Sequence, residues 1–227
     1  MMGPSHAMSG AAGWLAASAI YTSSTGQVIE PELLILGTTV AAGAALAPDI
    51  DSYGSTVVRS FGIFGRAMYW IANTLSLAAY NIIRTPRDEP KENGHRTLFH
   101  TLLFAILAGV LTALATSSTS IIEVFGREMT WGQLNALIIM AIFLNLGIGG
   151  LFVKPIAKAK SNFGILGPYV MMASVGVAVW MFSTFTDFVP DSSAQIEGYS
   201  WLGLAVAFGW LMHLAGDFIT KMGVPLL

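Results

Sequence analysis

Residues 201–219, WLGLAVAFGWLMHLAGDFI, decide the kind of fold that this chain adopts. Except for His213 and Asp217 the segment consists of apolar and small residues, and as a helix it is long enough to approach one bilayer crossing. The whole chain is similar: 54% of its 227 residues are hydrophobic, 11% are charged, and its mean hydropathy is +0.66. This number of charged side chains is too small to cover the surface of a soluble domain. We therefore expect lipid to solvate much of the chain.

Six apolar segments are candidates for membrane-spanning helices. The second is short, but it can begin at Pro31, because proline is favoured in the first turn of a helix. We therefore expect one integral membrane domain, residues 1–227, with an all-α fold of about six transmembrane helices plus one interfacial helix. The six segments are 7–23, 33–48, 97–116, 134–153, 164–186 and 201–220.

A seventh apolar stretch, Phe61 to Ile83, is predicted to be the interfacial helix. Polar residues recur every seven positions through this region, at Arg59, Arg66, Asn73 and Tyr80. That period places a polar stripe along one side of a helix, as in helices that lie at a membrane surface. A spanning helix with Arg66 turned toward the bundle interior is the alternative that periodicity leaves open.

The distribution of basic residues predicts the orientation in the membrane. If Phe61 to Ile83 lies on the surface, ten of the eleven Lys and Arg residues fall on one side and Arg127 alone on the other. The positive-inside rule makes the basic side cytoplasmic and places both termini there, as in a bacterial-type cytoplasmic membrane. The expected partners are membrane lipids, while a formal net charge of −2 argues against nucleic acid. The ten basic residues are Arg59, Arg66, Arg84, Arg87, Lys91, Arg96, Lys154, Lys158, Lys160 and Lys221.

All the histidines of the chain are expected near this same membrane face. His6 starts the first span, His95 and His100 lie at the start of the third, and His213 is late in the sixth. Three aspartates, Asp49, Asp51 and Asp217, are placed at the same depth by the ends of the second and sixth spans. The chain has no cysteine, so histidine and carboxylate are its only strong metal ligands. The predicted ligands are His6, Asp49, Asp51, His95, His100, His213 and Asp217.

The spacing within each segment is compatible with shared coordination. His213 and Asp217 are four residues apart and therefore lie on one face of a helix. Asp49 and Asp51 follow Pro48, and in an extended turn their side chains would point the same way. His95 is expected to approach from the linker before the third span, and the adjacent Arg96 could bind an anionic group.

Each of these residues also has an ordinary structural explanation when taken singly. An aspartate can cap a turn, and a histidine can hydrogen-bond to a neighbouring carbonyl group. Jointly they are harder to explain, because ionisable groups within apolar helices need a partner, and a cation satisfies carboxylates and neutral imidazoles together. We expect a divalent metal ion, with zinc or manganese best suited to the ligands.

The pattern resembles the YdjM-type family of inner-membrane proteins, whose members are described as metal-dependent hydrolases on the strength of such motifs. The chain departs from the family pattern at Ser52, where histidine is common, and at Phe99, where threonine is common. One possible extra ligand is therefore missing. The resemblance rests on Gly3-Pro4-Ser5-His6 with Gly10, Ala47-Pro48-Asp49-Ile50-Asp51 with Ser55, His95-Arg96 with His100, and His213 through Asp217 to Gly223-Val224-Pro225-Leu226-Leu227.

The expected function is hydrolysis of a phosphoester, in a lipid or lipid-linked molecule, at the cytoplasmic interface. A site at headgroup depth beside Arg96 meets such phosphates first. The predicted catalytic residues are Asp49 and Asp51, one of which would act as base to a water molecule, and Arg96 as a phosphate clamp. The alternatives are a metal-ion transporter and a structural membrane protein that is held together by metal without turnover.

Overall fold

A computed structural model describes residues 3–86, 88–124, 127–156, 173, 176, 180 and 199–219. The long helices among these residues are α1 (Gly3–Thr25), α2 (Pro31–Ala44), α4 (Gly62–Ile83), α5 (Leu102–Thr116), α6 (Trp131–Ile156) and α7 (Trp201–Ile219). They form a bundle in which α7 packs against α5, α2 and α1. Helix α2 also packs against α1 and α6. The prediction of a helical protein is therefore confirmed.

The connections between these helices contain short helical elements that were not predicted from the sequence. The aspartate turn, Ala47–Asp51, is a 3₁₀ turn after α2, and the histidine turn, Leu98–His100, is a second one before α5. Helix α3, Thr56–Ser60, begins at Ser55, whose hydroxyl accepts a hydrogen bond from the Val58 amide at 3.3 Å. These elements place the two turns side by side at the end of the bundle.

A β-hairpin makes the all-α prediction wrong in one detail. Strand β1, Ile121–Val124, pairs antiparallel with β2, Arg127–Thr130, with Ile121 opposite Thr130. The β-branched residues Ile121, Ile122 and Val124 favour a strand over a helix in this short connection. The hairpin lies at the end of the bundle opposite the two turns, because it follows α5 and precedes α6.

The bundle is tightly packed where α1 and α7 both cross α2. A Cβ atom added at Gly10 of α1 or at Gly209 of α7 would overlap the carbonyl oxygen of Ala41. Small residues at helix crossings allow backbones to approach closely, which is how membrane helices gain van der Waals contact. Both crossings lie within two turns of a predicted ligand, since His6 precedes Gly10 and His213 follows Gly209.

Two helical segments in the described part of the chain are long and apolar enough to cross a membrane, Leu33–Asp51 and Trp201–Ile219. Leu102–Thr116 and Trp131–Gly147 are shorter apolar helices. The total of six crossings therefore remains a prediction. The proposed span 164–186 lies outside the described residues except for helical positions 173, 176 and 180. The same holds for Arg87, Lys158, Lys160, Lys221 and the terminal segment 223–227.

Candidate metal centre

The structure brings the predicted ligands together at one end of the bundle. His6 comes from the first turns of α1, His213 and Asp217 from the C-terminal half of α7, and His100 from the histidine turn. These four side chains are at most 2% exposed. The remaining candidates come from the aspartate turn, Asp49 and Asp51, and from the linker before the histidine turn, His95, as its sequence position predicted.

Four ligand atoms have nearly the spacing of a tetrahedral site. His100 Nε2 and His213 Nε2 are 3.3 Å apart, and Asp49 Oδ1 lies 3.5 Å from the first and 3.8 Å from the second. Asp217 Oδ2 lies 3.7 Å from His213 Nε2 and 4.0 Å from His100 Nε2. Ligand atoms at zinc bond lengths are about 3.4 Å apart around a tetrahedron. These five distances differ from that spacing by about 0.6 Å at most, so His100, His213 and Asp217 could hold one ion with Asp49 beside the remaining position.

Three triplets of candidate ligands could each hold a metal ion. They overlap, since His100 and His213 each belong to two of them, so they describe one extended centre. The triplets are His6 with Asp49 and His213, Asp49 with His95 and His100, and His100 with His213 and Asp217.

The second ring nitrogens of these histidines are turned away from the tetrahedron. His213 Nδ1 donates a hydrogen bond to the carbonyl oxygen of Ala45 at 2.8 Å, which leaves Nε2 as the nitrogen that faces His100. A histidine that ligates metal is usually oriented in this manner by an acceptor behind it. Ala45 was not predicted, because a backbone acceptor can belong to any residue type and leaves no trace in the sequence.

Asp51 orients His95 and lies behind the ring of His100. Its Oδ1 accepts a hydrogen bond from His95 Nδ1 at 2.9 Å. Its Oδ2 lies 3.5 Å from His100 Nδ1, and these two buried atoms make no hydrogen bond within the described residues. The prediction that Asp49 and Asp51 point the same way is wrong. After Pro48 the backbone forms a 3₁₀ turn, in which residues two apart diverge, so Asp49 reaches the ligand nitrogens and Asp51 the opposite ring edges.

His6 lies against the other side of the tetrahedron. Its ring stacks on that of His213 with centroids 3.9 Å apart, and its Nε2 lies 3.3 Å from Asp217 Oδ1. The buried Nδ1 of His6 makes no hydrogen bond within the described residues. His6 therefore contacts Asp217 Oδ1, while Asp217 Oδ2 faces His213.

Arg96 is paired inside the centre. Its Nη2 lies 3.1 Å from Asp217 Oδ2, and its side chain is 18% exposed. The backbone at Arg96 has φ of 59°, an uncommon conformation for a residue other than glycine. The sequence predicted that Arg96 is available to bind an anion. In the structure its guanidinium instead pairs with Asp217 Oδ2, the oxygen that faces His100 and His213.

The comparison with known families matches the whole chain. The family model described as "YdjM inner membrane protein" covers residues 1–227. This chain belongs to the YdjM family. No curated protein and no solved structure matches it. Membership agrees with the apolar helices in assigning this YdjM-family chain to a membrane.

The electrostatics of this YdjM-family centre favour a cation. Burial alone would lower the pKa of the His100 imidazole, but the Asp49 and Asp51 carboxylates beside it outweigh burial and raise that pKa to about 9. We therefore expect the His100 imidazole to be protonated at neutral pH when no metal is bound. A divalent cation bound by the same atoms would replace that proton and satisfy both carboxylates.

The centre is open on one side. The side chains of His95 and Asp49 are 34% and 24% exposed, whereas those of His6, His100, His213 and Asp217 are buried. A molecule from outside therefore reaches the centre past His95 and Asp49. Catalytic zinc sites keep one coordination position for water or substrate, and this side of the centre is where such a molecule would enter.

Proposed function

We propose that the protein is a membrane-embedded metal-dependent hydrolase that cleaves a phosphoester, in a lipid or lipid-linked molecule, at the cytoplasmic interface. One observation carries the proposal: buried nitrogens of His100 and His213 and a buried oxygen of Asp217 face one another, and the partly exposed Asp49 lies beside them. Family membership supports the membrane location.

The donor set fits zinc or manganese. It contains imidazole nitrogens and carboxylate oxygens, and the chain has no thiolate that would select softer ions. A divalent cation supplies Lewis acidity there, which polarises a phosphoryl oxygen and makes water a better nucleophile. His100, His213 and Asp217 would hold the ion, with the Ala45 carbonyl orienting the His213 ring from behind and Asp51 lying 3.5 Å behind the His100 ring.

Asp49 is the best candidate for the general base. Asp51 is buried and engaged with His95, whereas Asp49 is partly exposed on the open side. In the proposed reaction Asp49 accepts a proton from the attacking water as its oxygen bonds to phosphorus. The bond from phosphorus to the ester oxygen then breaks, the leaving alkoxide takes a proton from solvent water, and Asp49 returns its own proton to solvent.

The position of the centre favours an enzyme over a transporter. Its ligands come from the start of α1, the end of α2 and the C-terminal half of α7, so they lie at one end of the bundle. Transporter sites lie near the middle of the membrane between broken helices. Basic residues of the linker between α4 and the histidine turn, including Arg84 and Lys91, support assigning this end to the cytoplasm.

The decisive experiment measures hydrolysis and ion flux on one preparation. Metal-loaded protein in liposomes is given a panel of lipid and soluble phosphoesters while flux of the same metal is followed. We expect hydrolysis that a chelator abolishes and that returns with zinc or manganese. Metal flux without hydrolysis of any panel member would overturn the proposal in favour of transport, and bound metal with neither activity would favour a structural role.

The Asp49→Asn variant tests the assignment of the base. Asparagine keeps an oxygen at this position but cannot accept the proton, so metal should remain bound while turnover falls by about 10²- to 10⁴-fold. Asp88→Asn is the matched control, because Asp88 is an exposed carboxylate of the linker that bonds to Thr85. Full activity in Asp49→Asn would exclude Asp49 as the base.

A further inference from the structure

Helix α4 has two faces of opposite character. Gly65, Ala72 and Ser76 are buried, and a Cβ atom added at Gly65 would overlap the Val58 carbonyl oxygen of α3. The outward face is mostly apolar and exposed, with Arg66, Thr74 and Asn81 as the exposed polar residues along it or at its edge. Its large side chains are Ile63, Phe64, Met68, Trp70, Ile71, Leu75 and Ile82.

The linker that follows α4 runs back along the inward face. The Tyr80 hydroxyl donates a hydrogen bond to the Glu89 carbonyl oxygen at 2.7 Å, and Lys91 Nζ lies 4.9 Å above the Tyr80 ring. About two turns nearer the start of the helix, Asn73 Oδ1 accepts a hydrogen bond from the Gly94 amide at 2.7 Å. The linker is therefore antiparallel to the second half of α4.

These contacts limit where α4 can lie. The returning linker carries Arg84, Asp88, Glu89, Lys91 and Glu92, all of them exposed. If α4 crossed the bilayer, this charged segment would be drawn into hydrocarbon, where each charge costs several kcal/mol. The linker side of α4 must therefore face water, whereas the opposite side carries the apolar residues that water solvates poorly.

One orientation satisfies both faces. We propose that α4 lies in the plane of the membrane, with the outward apolar face buried in the lipid of the leaflet nearest the candidate metal centre and with its linker in the aqueous phase. Helices with one strongly apolar face and one polar face bind membranes in this manner, about 5–10 Å into the interface. The exposed Arg66, near the start of the helix, can extend to lipid phosphates.

This placement fixes the depth of the candidate metal centre. Helix α4 packs against the aspartate turn and the histidine turn, which carry Asp49, Asp51 and His100. A helix held at headgroup depth holds those two turns at the same depth. The inference requires membrane embedding but neither bound metal nor hydrolysis, so its test is independent of the proposed function.

The test uses the absence of cysteine in the chain, since single cysteines can be introduced directly. Nitroxide labels at Phe64→Cys, Ile71→Cys, Leu75→Cys and Ile82→Cys are compared in liposomes by their collision with oxygen, which concentrates in lipid, and with a water-soluble nickel complex. We expect all of these labels at one shallow depth in lipid. In a spanning helix, positions 64 and 82 would differ in depth by about 27 Å.

Controls come from the same chain. Labels at the exposed residues Leu204 and Phe218 of α7 should differ in depth by about 21 Å, because that helix is a candidate span. A label at Glu92 should contact the nickel complex. A depth gradient along α4, or labels of its apolar face in water, would overturn the proposal. So would strong dipolar broadening between labels without contact with lipid, which would assign this face to a second copy of the chain.

Discussion

His100 Nε2 and His213 Nε2 face each other at 3.3 Å, with the ring of His213 fixed from behind by the Ala45 carbonyl oxygen. If both Nε2 atoms were unprotonated, their lone pairs would repel each other at this distance. A proton or a metal ion between them removes the conflict, and the two carboxylates beside them favour the greater positive charge.

Removing one of these nitrogens should remove the metal. We expect the wild-type protein to retain a stoichiometric divalent ion, His213→Ala to lose it and Asp217→Ala to lose most of it, because both side chains face the candidate centre. Elemental analysis of purified protein is the measurement. Leu204→Ala, an exposed change in the same helix, controls for general damage to α7. Wild-type metal content in both variants would exclude α7 from the centre.

Changing Asp51 should weaken metal binding without abolishing it. Its carboxylate accepts a hydrogen bond from His95 and lies 3.5 Å from the His100 ring nitrogen, and losses of such supporting groups reduce metal affinity by about 10- to 100-fold. We expect Asp51→Asn to show that reduction in a competition titration with a chelator. Asp88→Asn, in the exposed linker, should bind as the wild type does. Complete loss of metal would instead make Asp51 a direct ligand.

Metal binding should tighten as pH rises. The carboxylates beside His100 raise its pKa to about 9, so the metal-free protein carries a proton there at neutral pH. A protonated imidazole cannot ligate, so binding releases this proton, and affinity should rise about tenfold per pH unit until pH approaches 9. Calorimetric titration in buffers of different ionisation enthalpy measures the proton released. An affinity that is constant from pH 7 to pH 8.5 would contradict the prediction.

Arg96→Ala should weaken metal binding as well as substrate binding. The guanidinium pairs with the Asp217 oxygen that faces His213 and His100, so its loss frees that carboxylate to move. We expect about a tenfold lower metal affinity. Arg59→Ala removes an exposed arginine of α3 and should change neither property. If Arg96→Ala raises KM alone, Arg96 is a phosphate clamp, as its position in the sequence indicated.

Gly209→Ala should loosen the bundle near the centre. A methyl group there overlaps the Ala41 carbonyl oxygen, so α7 must move away from α2 at a cost of about 1–3 kcal/mol. Thermal unfolding in detergent should show a lower Tm, and metal affinity should fall because His213 moves with α7. Gly54→Ala is the control, since the nearest atom to its added Cβ is 3.8 Å away. An unchanged Tm in Gly209→Ala would mean that the crossing relaxes freely.

Helical periodicity was sufficient to predict part of the centre. His213 and Asp217 lie four residues apart in an apolar helix, and the structure places their facing atoms 3.7 Å apart. The approach of His95 from a linker followed from the five-residue interval to His100, which does not fit one helix face. In both cases the geometry of a regular helix restricts what the side chains can reach.

The remaining features depend on backbone choices that the sequence does not restrict. Pro48 is compatible with an extended turn and with a 3₁₀ turn, and only the second separates the roles of Asp49 and Asp51. The pairing of Arg96 with Asp217 depends on a left-handed backbone at a residue that rarely adopts one. The polar stripe of α4 can be recognised in the sequence. That the charged linker packs against this stripe can be seen only in the tertiary structure.

The contact between His6 and Asp217 joins α1 to α7, the first and last helices that the structure describes. During synthesis His6 leaves the ribosome early, whereas Asp217 enters the membrane only when α7 is inserted. The proposed metal can therefore be bound only after α7 is inserted, and its binding would hold α1 and α7 together. A cell short of that metal would accumulate inserted chains in which α1 and α7 are not held together, and membrane proteases could degrade those chains. Metal supply would then set the abundance of the mature protein as well as its activity.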